Sequence, residues 1–524
     1  MNNRVAQSGR RFPGGLVIAS TILALLLSAC SGLPPRDDIA VSAALQNTAD
    51  TRIGRGVADL EGQHPGLSGI YPLSEGKGAL AARLLLADAA DVSLDVQYYI
   101  WHGDAAGALL ADALMRAAER GVRVRLLLDD NGIGGLDEWL AALNSHPNLE
   151  VRLINPYMNR RARWLGYITD FSRLNHRMHN KSFTADSQVT IVGGRNIGNE
   201  YFAAGQDLSF SDLDVIAIGP AVRDVSSAFD DYWNSEAAYP LSLLVKKTSK
   251  TLAQIGEAAA TVHADPGGAA YIEALRSTQV VADLLLGSLP YEWSRTRLVI
   301  DDPDKLLGID TGDKGLLLRQ LEQLIGDPQR EFLLVSPYFV PTAKGTQSLV
   351  AMAERGVNVM VLTNSLAATD VAAVHAGYAK RRKALLRGGV RLFELRPSAE
   401  LVKGSKSAGS TGGGSDASLH AKTFAVDGKY AFVGSFNFDP RSAKLNTEMG
   451  LLAESPVLAG RLVETFRDRI PAEAYEVRLT GKGSMEWILR GPDGEQRLTR
   501  EPEAGFMQRM TAGIARWLPI EWLL

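Results

Sequence analysis

Apolar residues along this chain fall into two alternating rhythms: short β-branched runs of strand length, and longer stretches with helical spacing. Val122-Arg123-Val124-Arg125-Leu126-Leu127-Leu128 is one such run, rich in valine and leucine. It follows a helical stretch from Gly107 to Arg120, and Gly121 fits the left-handed residue that often ends a helix. Val357 to Thr363 follows Gly356 in the same way. Val189-Thr190-Ile191-Val192 and Tyr430-Ala431-Phe432-Val433 read as short buried strands. This alternation predicts an α/β fold of mixed sheets flanked by helices.

The alternation is written twice. Ala118-Glu119-Arg120-Gly121-Val122 recurs as Ala353-Glu354-Arg355-Gly356-Val357, and Leu94 to Ile100 pairs with Leu334 to Val340. Downstream, Asp212-Leu213-Asp214 pairs with Asn446-Thr447-Glu448. The spacings from Gly121 to Gly356 and from His179 to His420 nearly agree, so the copies are collinear. Repetition on this scale predicts two related halves, 66–260 and 300–475, packed about a pseudo-twofold axis with the active site at their interface. Residues 261–300 would connect them, and 476–524 would form a C-terminal extension.

Inside the repeat lies one chemical pattern in two copies, H-x-K-x-x-x-x-D. It reads His179, Lys181 and Asp186 in the first half, and His420, Lys422 and Asp427 in the second. Each copy is followed by a short segment ending in asparagine, Gly193-Gly194-Arg195-Asn196 and Gly434-Ser435-Phe436-Asn437. In an extended segment residues i and i+2 share a face, so His and Lys of each copy point the same way. Two imidazoles, two ammonium groups and two amides around one point suit phosphoryl transfer through a phosphohistidine. One imidazole attacks phosphorus, and the other protonates the leaving alcohol and then deprotonates the acceptor. The lysines and asparagines hold phosphate oxygens.

Composition narrows the setting. The 524 residues suffice for two full cores, and the formal net charge of −3 disfavours a nonspecific nucleic-acid binder. Arg160, Arg161, Arg163, Arg173, Arg177 and Lys181 gather with Tyr157, Trp164, Tyr167 and Phe171 before the first motif, a mixture suited to phospholipid headgroups. Lys380, Arg381, Arg382, Lys383 and Arg387 read as a solvated helix face. At the start, Arg4, Arg10 and Arg11 precede an apolar stretch from Leu16 to Leu27 that is short for a membrane span. Leu27-Ser28-Ala29-Cys30 then resembles a bacterial lipobox, which makes 1–29 a signal peptide, Cys30 a lipidation site and 30–65 an extended tether. Cys30 is the only cysteine, so no internal disulfide forms. A Gly/Ser-rich segment, 404–418, ends just before His420 and reads as a flexible insertion or a mobile lip. The apolar end, Trp517 to Leu524, packs on the body or touches lipid.

At these residues the chain resembles the phospholipase D superfamily. Asp95 to Trp101, Leu126 to Asn131 and Gly434 to Ser442 are similar to bacterial cardiolipin synthases; Gly166 to Leu174, Asn364 to Ala368 and Glu521 to Leu524 are most similar to their C branch. The resemblance implies a phosphatidyltransferase that works without metal or cofactor. Its substrates would be phosphatidylglycerol and a donor such as phosphatidylethanolamine or a second phosphatidylglycerol, met at a membrane surface and not on nucleic acid. The family pattern makes His179 the nucleophile and His420 the general acid and base, an order the near-symmetric residues do not decide. Lys181, Lys422, Asn196, Asn437 and Ser435 match substrate-binding positions, and Asp186 and Asp427 are expected to orient the motif. Asp214 and Glu448 match the carboxylates that hydrogen-bond the opposite histidine. Aromatics flanking the cleft strands, Tyr98, Tyr99, Trp101, Tyr338, Phe339 and Phe438, are candidates for a wall that excludes water. Hydrolysis by the same residues, a nuclease of the superfamily and a non-catalytic lipid-binding lipoprotein remain alternatives. A helper protein and the oligomeric state stay open. Ser31 after the cysteine suits export to the outer membrane, with the catalytic body in the periplasm.

Overall fold

The computed structural model describes residues 32–36, 39–204, 209–397, 417–491, 494–515 and 521. Cys30, most of the segment 404–418 and all of Trp517 to Leu524 except Glu521 lie outside the described residues.

Among the described residues eighteen strands make one mixed sheet. In the first half the order is Ala238–Pro240, Leu149–Ile154, Arg123–Gly132, Ser93–Ile100, Ser182–Ala185, Val189–Gly193, Asp214–Ile218 and Ser68–Leu73. The second half mirrors it outward: Glu292–Ile300, Met449–Glu454, Tyr430–Gly434, Lys422–Val426, Glu331–Val335, Asn358–Asn364, Arg391–Leu395 and Ala474–Leu479. The halves join where Ser68–Leu73 runs antiparallel to Glu292–Ile300, with Gly69 opposite Trp293. Antiparallel pairing of equivalent strands at the centre generates the approximate twofold.

Three neighbouring strands in each half are parallel, and parallel neighbours require a crossover. Helices Ala105–Glu119 and Thr342–Glu354 supply the first crossover of each half. Both stop at the predicted glycines, Gly121 with φ 94° and Gly356 with φ 90°, where a side chain would be strained. Leu80, Leu94, Val96, Leu110, Leu126 and Val151 fill the first core, and Val359, Val361, Leu385, Leu392 and Phe432 the second. Between the halves, Val192, Val215, Val433, Met449 and Leu451 form a shared apolar cluster, so part of the interface is packed as a core is.

The structure corrects three expectations of organisation. The region read as a tether contains the helix Arg52–Gln63, whose Ile53 and Val57 enter the first core, and Arg125 and Arg152 donate to the carbonyls of Ser42 and Ala40. Within 261–300, helices Pro266–Arg276 and Gln279–Leu286 pack on the first half, while Glu292–Ile300 is the innermost strand of the second. The C-terminal extension continues the second sheet through the hairpin Met485–Gly491 and Gly494–Leu498. The repeat register also shifts. Val96 faces Phe183 and Leu334 faces Phe424, which sets Leu94 against Phe332, not Leu334. A slip of two keeps every side chain on its face, so an apolar pattern does not register it.

Candidate active site

Each histidine segment lies across the opposite half. The His179 N–H donates to the Thr447 carbonyl at 2.9 Å, and the Thr447 N–H donates back to Arg177 at 3.0 Å. On the other side His420 and Ala421 both donate to the Ser211 carbonyl, at 2.7 and 3.0 Å. Residues 209–211 pair in parallel with 417–419.

The residue ahead of each histidine is fixed from within its own half. Asp129 accepts from the Met178 N–H at 2.8 Å and from Arg177 at 3.2 Å. Asn364 holds Leu419 by both ends, accepting from its N–H at 3.0 Å and donating to its carbonyl at 3.1 Å. Sequence reasoning did not single out Asp129 or Asn364 for a role. Each is a polar residue at the end of an apolar strand run, and that placement was the available signal.

The ring partners come from across the interface. Glu448 Oε2 lies 2.8 Å from His179 Nδ1 and also accepts from Ser435 Oγ at 2.5 Å. An oxygen accepting from the hydroxyl takes the ring N–H as well, which leaves Nε2 of His179 with its lone pair toward the cleft. His420 Nδ1 is held by Asp212 Oδ2 at 2.5 Å. This corrects the expectation for Asp214, which instead accepts from Arg83 at 2.8 Å and from the Arg195 N–H at 3.1 Å. The reason is local. A Cβ on Gly194 would lie 2.2 Å from Asp212 Oδ1, so the missing side chain makes room for that carboxylate. The equivalent second-half position is Ser435, whose hydroxyl supports Glu448.

The lysines are buried beside their histidines. Lys181 donates to the His179 carbonyl at 2.6 Å and lies over the Tyr99 ring. Lys422 donates to the His420 carbonyl and approaches His420 Nδ1 at 2.8 Å. Tyr99 meets His179 edge-on at 5.1 Å, and Tyr201 meets His420 at 5.2 Å. Asn196 accepts from the Ile100 N–H and donates to Tyr201 Oη, whereas the buried Asn437 Oδ1 has no partner among the described residues. The motif aspartates stand off from the cleft. Asp186 accepts from the N–H groups of Asp91, Val92 and Ser93, and Asp427 from those of Gln329, Arg330 and Glu331. Both are left-handed, with φ 50° and 55°, and each anchors a turn to the start of a strand.

Burial and like charge set the protonation states. Burial, then Lys181, Lys422 and His420, depress His179 well below the usual imidazole range. Burial and Lys422 also depress His420, but Asp212 opposes them. Burial lowers Lys181 to about 7 and Lys422 to about 8. Burial raises Glu448 to about 7, against the pull of Lys181. Asp212 is also buried, yet His420 and Lys422 outweigh that and hold its carboxyl below the usual range. Two lysines of lowered pKa thus stand beside the ionised Asp212, and a bound phosphate would favour their charged forms.

The surrounding residues divide. Most of the arginines ahead of the first motif are internal struts: Arg160 and Arg163 pair with Asp130 and Asp137, Arg173 with Asp170, and Arg177 with Asp129. In the second cluster Arg382 is buried against Glu394 and Glu501. Of the aromatics expected to wall the cleft, Tyr98, Trp101 and Phe339 are core residues, while Tyr99, Tyr338 and Phe438 are half-buried. His102, Asp104 and Glu200 converge with ligand atoms within 4.8 Å of one another, the one such group among the described residues. His102 is paired with Glu200 at 3.1 Å, and Asp104 caps the helix that follows it.

Comparison with known proteins agrees with this geometry. The family model described as cardiolipin synthase, PLD-like domain, matches twice, at 85–233 and 321–470. The chain belongs to that family. It is 49% identical over 473 residues to cardiolipin synthase C of Escherichia coli (strain K12), covering 90% of this chain and 100% of that one. It is 31% identical over 503 residues to an uncharacterized protein of Helicobacter pylori (strain ATCC 700392 / 26695), covering 94% and 96%. Among solved structures, phosphatidylserine synthase of Haemophilus influenzae Rd KW20 shares the fold, with a TM-score of 0.56, 16% identity, and coverage of 90% and 100%. Each match in the family model contains one H-x-K-x-x-x-x-D motif, as the two-half architecture requires.

Proposed function

We propose that this enzyme forms cardiolipin by moving a phosphatidyl group from a donor phospholipid to phosphatidylglycerol through a phosphohistidine. The observation that carries this reading is the crossed pairing of His179 with Glu448 and His420 with Asp212 beside two buried lysines. Nε2 of His179 attacks phosphorus, and the bond to the donor's head alcohol breaks as His420 gives that oxygen a proton. His420, now neutral, takes the proton of the phosphatidylglycerol hydroxyl. The new oxygen–phosphorus bond forms as the nitrogen–phosphorus bond breaks. Lys181, Lys422 and Asn437 line the place of the phosphate oxygens; Asn196 and Ser435 act through Tyr201 and Glu448.

The carboxylates support this order. An ionised Asp212 opposes the fall that burial and Lys422 impose on His420, which favours His420 over His179 as the proton donor. Glu448, raised to about 7, gives His179 less such help, and a depressed imidazole is neutral and nucleophilic.

The lipobox at Cys30 supports a lipid-anchored enzyme in the bacterial envelope with its body in the periplasm. Among the described residues no helix is long and apolar enough to cross a membrane. Cys30→Ser should release the protein or block its maturation, and a body shielded from protease in spheroplasts would place it in the cytoplasm instead.

Incubation with vesicles of phosphatidylglycerol and phosphatidylethanolamine, followed by thin-layer chromatography, tests the reaction. Cardiolipin is the expected product. Phosphatidic acid alone would mean that water is the acceptor.

A further inference from the structure

Two exposed apolar patches pack against equivalent strand ends of the two halves. The first occupies 163–171, where Trp164 is 64% exposed and Ile168 72%, with Tyr167 and Phe171 beside them. It connects directly to the site. Tyr167 and Tyr157 donate to Asn131, Asn131 donates to Tyr99, and Tyr99 packs on His179. The second is the outer face of the helix Phe506–Ala515, with Phe506 78%, Met507 62% and Ile514 59% exposed. Ala512 on its inner side and Ala504 just ahead of it cover Leu366 and Ala367.

Asn131 and Leu366 lie in equivalent positions. Arg123–Gly132 and Asn358–Asn364 are the same strand of the repeat, and Asp129 and Asn364 at their ends steady the two histidines. Tyr167 of the first patch meets Asn131, and the helix bearing the second covers Leu366 and Ala367, so each patch packs against the loop beyond a site-bearing strand.

We propose that the two patches are a pair of docking feet that enter the headgroup and acyl boundary of a bilayer, so that the mouth opens onto the membrane. This rests on the phospholipid reading above. The occupant follows from the chemistry of the surface and its place. Of the four arginines between 158 and 175, Arg160, Arg163 and Arg173 are paired with Asp130, Asp137 and Asp170, which leaves the exposed Arg161 beside the first patch, while 505–515 holds Arg509 and no acid; these two cations suit an anionic lipid surface. Trp, Tyr and Phe with Ile and Met are the side chains that settle at that boundary. Apolar feet packed beside both site-bearing strands would keep a lipid headgroup in reach of the histidines without drawing the whole lipid into water. Exposed apolar area on this scale otherwise invites association, and here it is continuous with a site that must receive lipids.

The full chain, reconstituted on vesicles of phosphatidylglycerol and phosphatidylethanolamine with brominated acyl chains, tests this. Bromine should quench tryptophan fluorescence, and Trp164→Phe should remove the most strongly quenched component. The double variant Ile168→Asp, Met507→Asp should lose tenfold or more of its turnover on vesicles, yet stay within twofold of the parent on monomeric short-chain phospholipids. Equal quenching in Trp164→Phe, or parallel loss on vesicles and monomers, overturns the proposal. So does a change in sedimentation mass in the double variant with quenching intact, which would assign the patches to a contact between chains. Quenching without turnover on either substrate would uphold docking and reject the reaction instead.

Discussion

Glu448 and His179 are 2.8 Å apart in space and on opposite halves of the chain. The converse pair, Asp212 and His420, crosses the interface in the other direction. Neither half holds a complete imidazole with its orienting acid, so the site exists only where the halves meet. The apolar cluster of Val192, Val215, Val433 and Leu451 keeps them there.

The crossing separates two aspartates that look interchangeable. Asp212→Asn should lower kcat by about 10²- to 10⁴-fold, the range associated with a general acid or base, with little change in melting temperature. Asp214→Asn should act on stability, because it leaves Arg83 buried without its charge partner, a change that costs about 3–5 kcal/mol. Thermal melts and turnover measured side by side check this. A stable, inactive Asp214→Asn would return that residue to the catalytic pair.

Trapping decides which imidazole attacks. His420→Ala removes the proton donor of the first step and the base of the second. With a donor whose leaving group needs no proton, such as a p-nitrophenyl ester of phosphatidic acid, the first step survives and the second stalls. The phosphatidyl adduct should then collect on His179 and be found there by mass spectrometry of the digest. His179→Ala should show no adduct and no turnover. An adduct on His420 would reverse the assignment.

Lys181 and Lys422 predict how the empty site takes an anion. An ammonium is present below its pKa and lost as pH rises through it. With values near 7 and 8, the lysines of the empty site shed their charge between about pH 6 and 9. Inorganic phosphate should bind best at the acid end of that window and weaken across it. Bound phosphate favours the charged lysines, so binding at pH 8 should take up protons. Calorimetry in two buffers of different ionisation enthalpy measures the uptake, and proton release would contradict this account.

The two-half fold and the doubled motif were legible because they depend on short-range pattern: strand runs, helix-ending glycines and a spacing repeated in register. The partner of His420 was not. Asp212 and Asp214 are both acidic and only two residues apart, and the space above Gly194 selects between them. Asp129 and Asn364 were missed because they hold backbone far along the chain, a contact that no local pattern records. The arginine-rich stretch misled in part, since residues that suit phosphate also suit aspartate, and most of these face Asp129, Asp130, Asp137 and Asp170.

Turnover should survive chelation. Buried lysines at the histidines repel a cation, and the group at His102, Asp104 and Glu200 is already satisfied: His102 pairs with Glu200, and Asp104 accepts from Gly107 and Asn199. Activity after exhaustive EDTA treatment should match the untreated enzyme. Loss restored by one particular divalent ion would make that trio a functional metal site.

The acceptor must reach the phosphohistidine before water does. Water is present at ~55 M in bulk, far above any lipid alcohol, so the choice of acceptor requires a mouth that keeps it out. Tyr99 and Tyr338 are placed for this. Tyr99 packs edge-on against His179 and is held by Asn131, and Tyr338 donates to Asp370 at 2.7 Å in the loop beyond Asn358–Asn364. Both are half-buried, unlike Tyr98, Trp101 and Phe339, whose loss would damage the core. Phe438 is half-buried as well and tilted against Phe339, with ring centroids 5.7 Å apart. Tyr338→Ala and Phe438→Ala should therefore raise phosphatidic acid relative to cardiolipin by more than they lower total turnover. Tyr338→Phe should keep the ratio, because the ring and not the hydroxyl displaces water. A ratio unchanged across all three, with normal melting temperatures, would remove these rings from acceptor choice and assign them to packing.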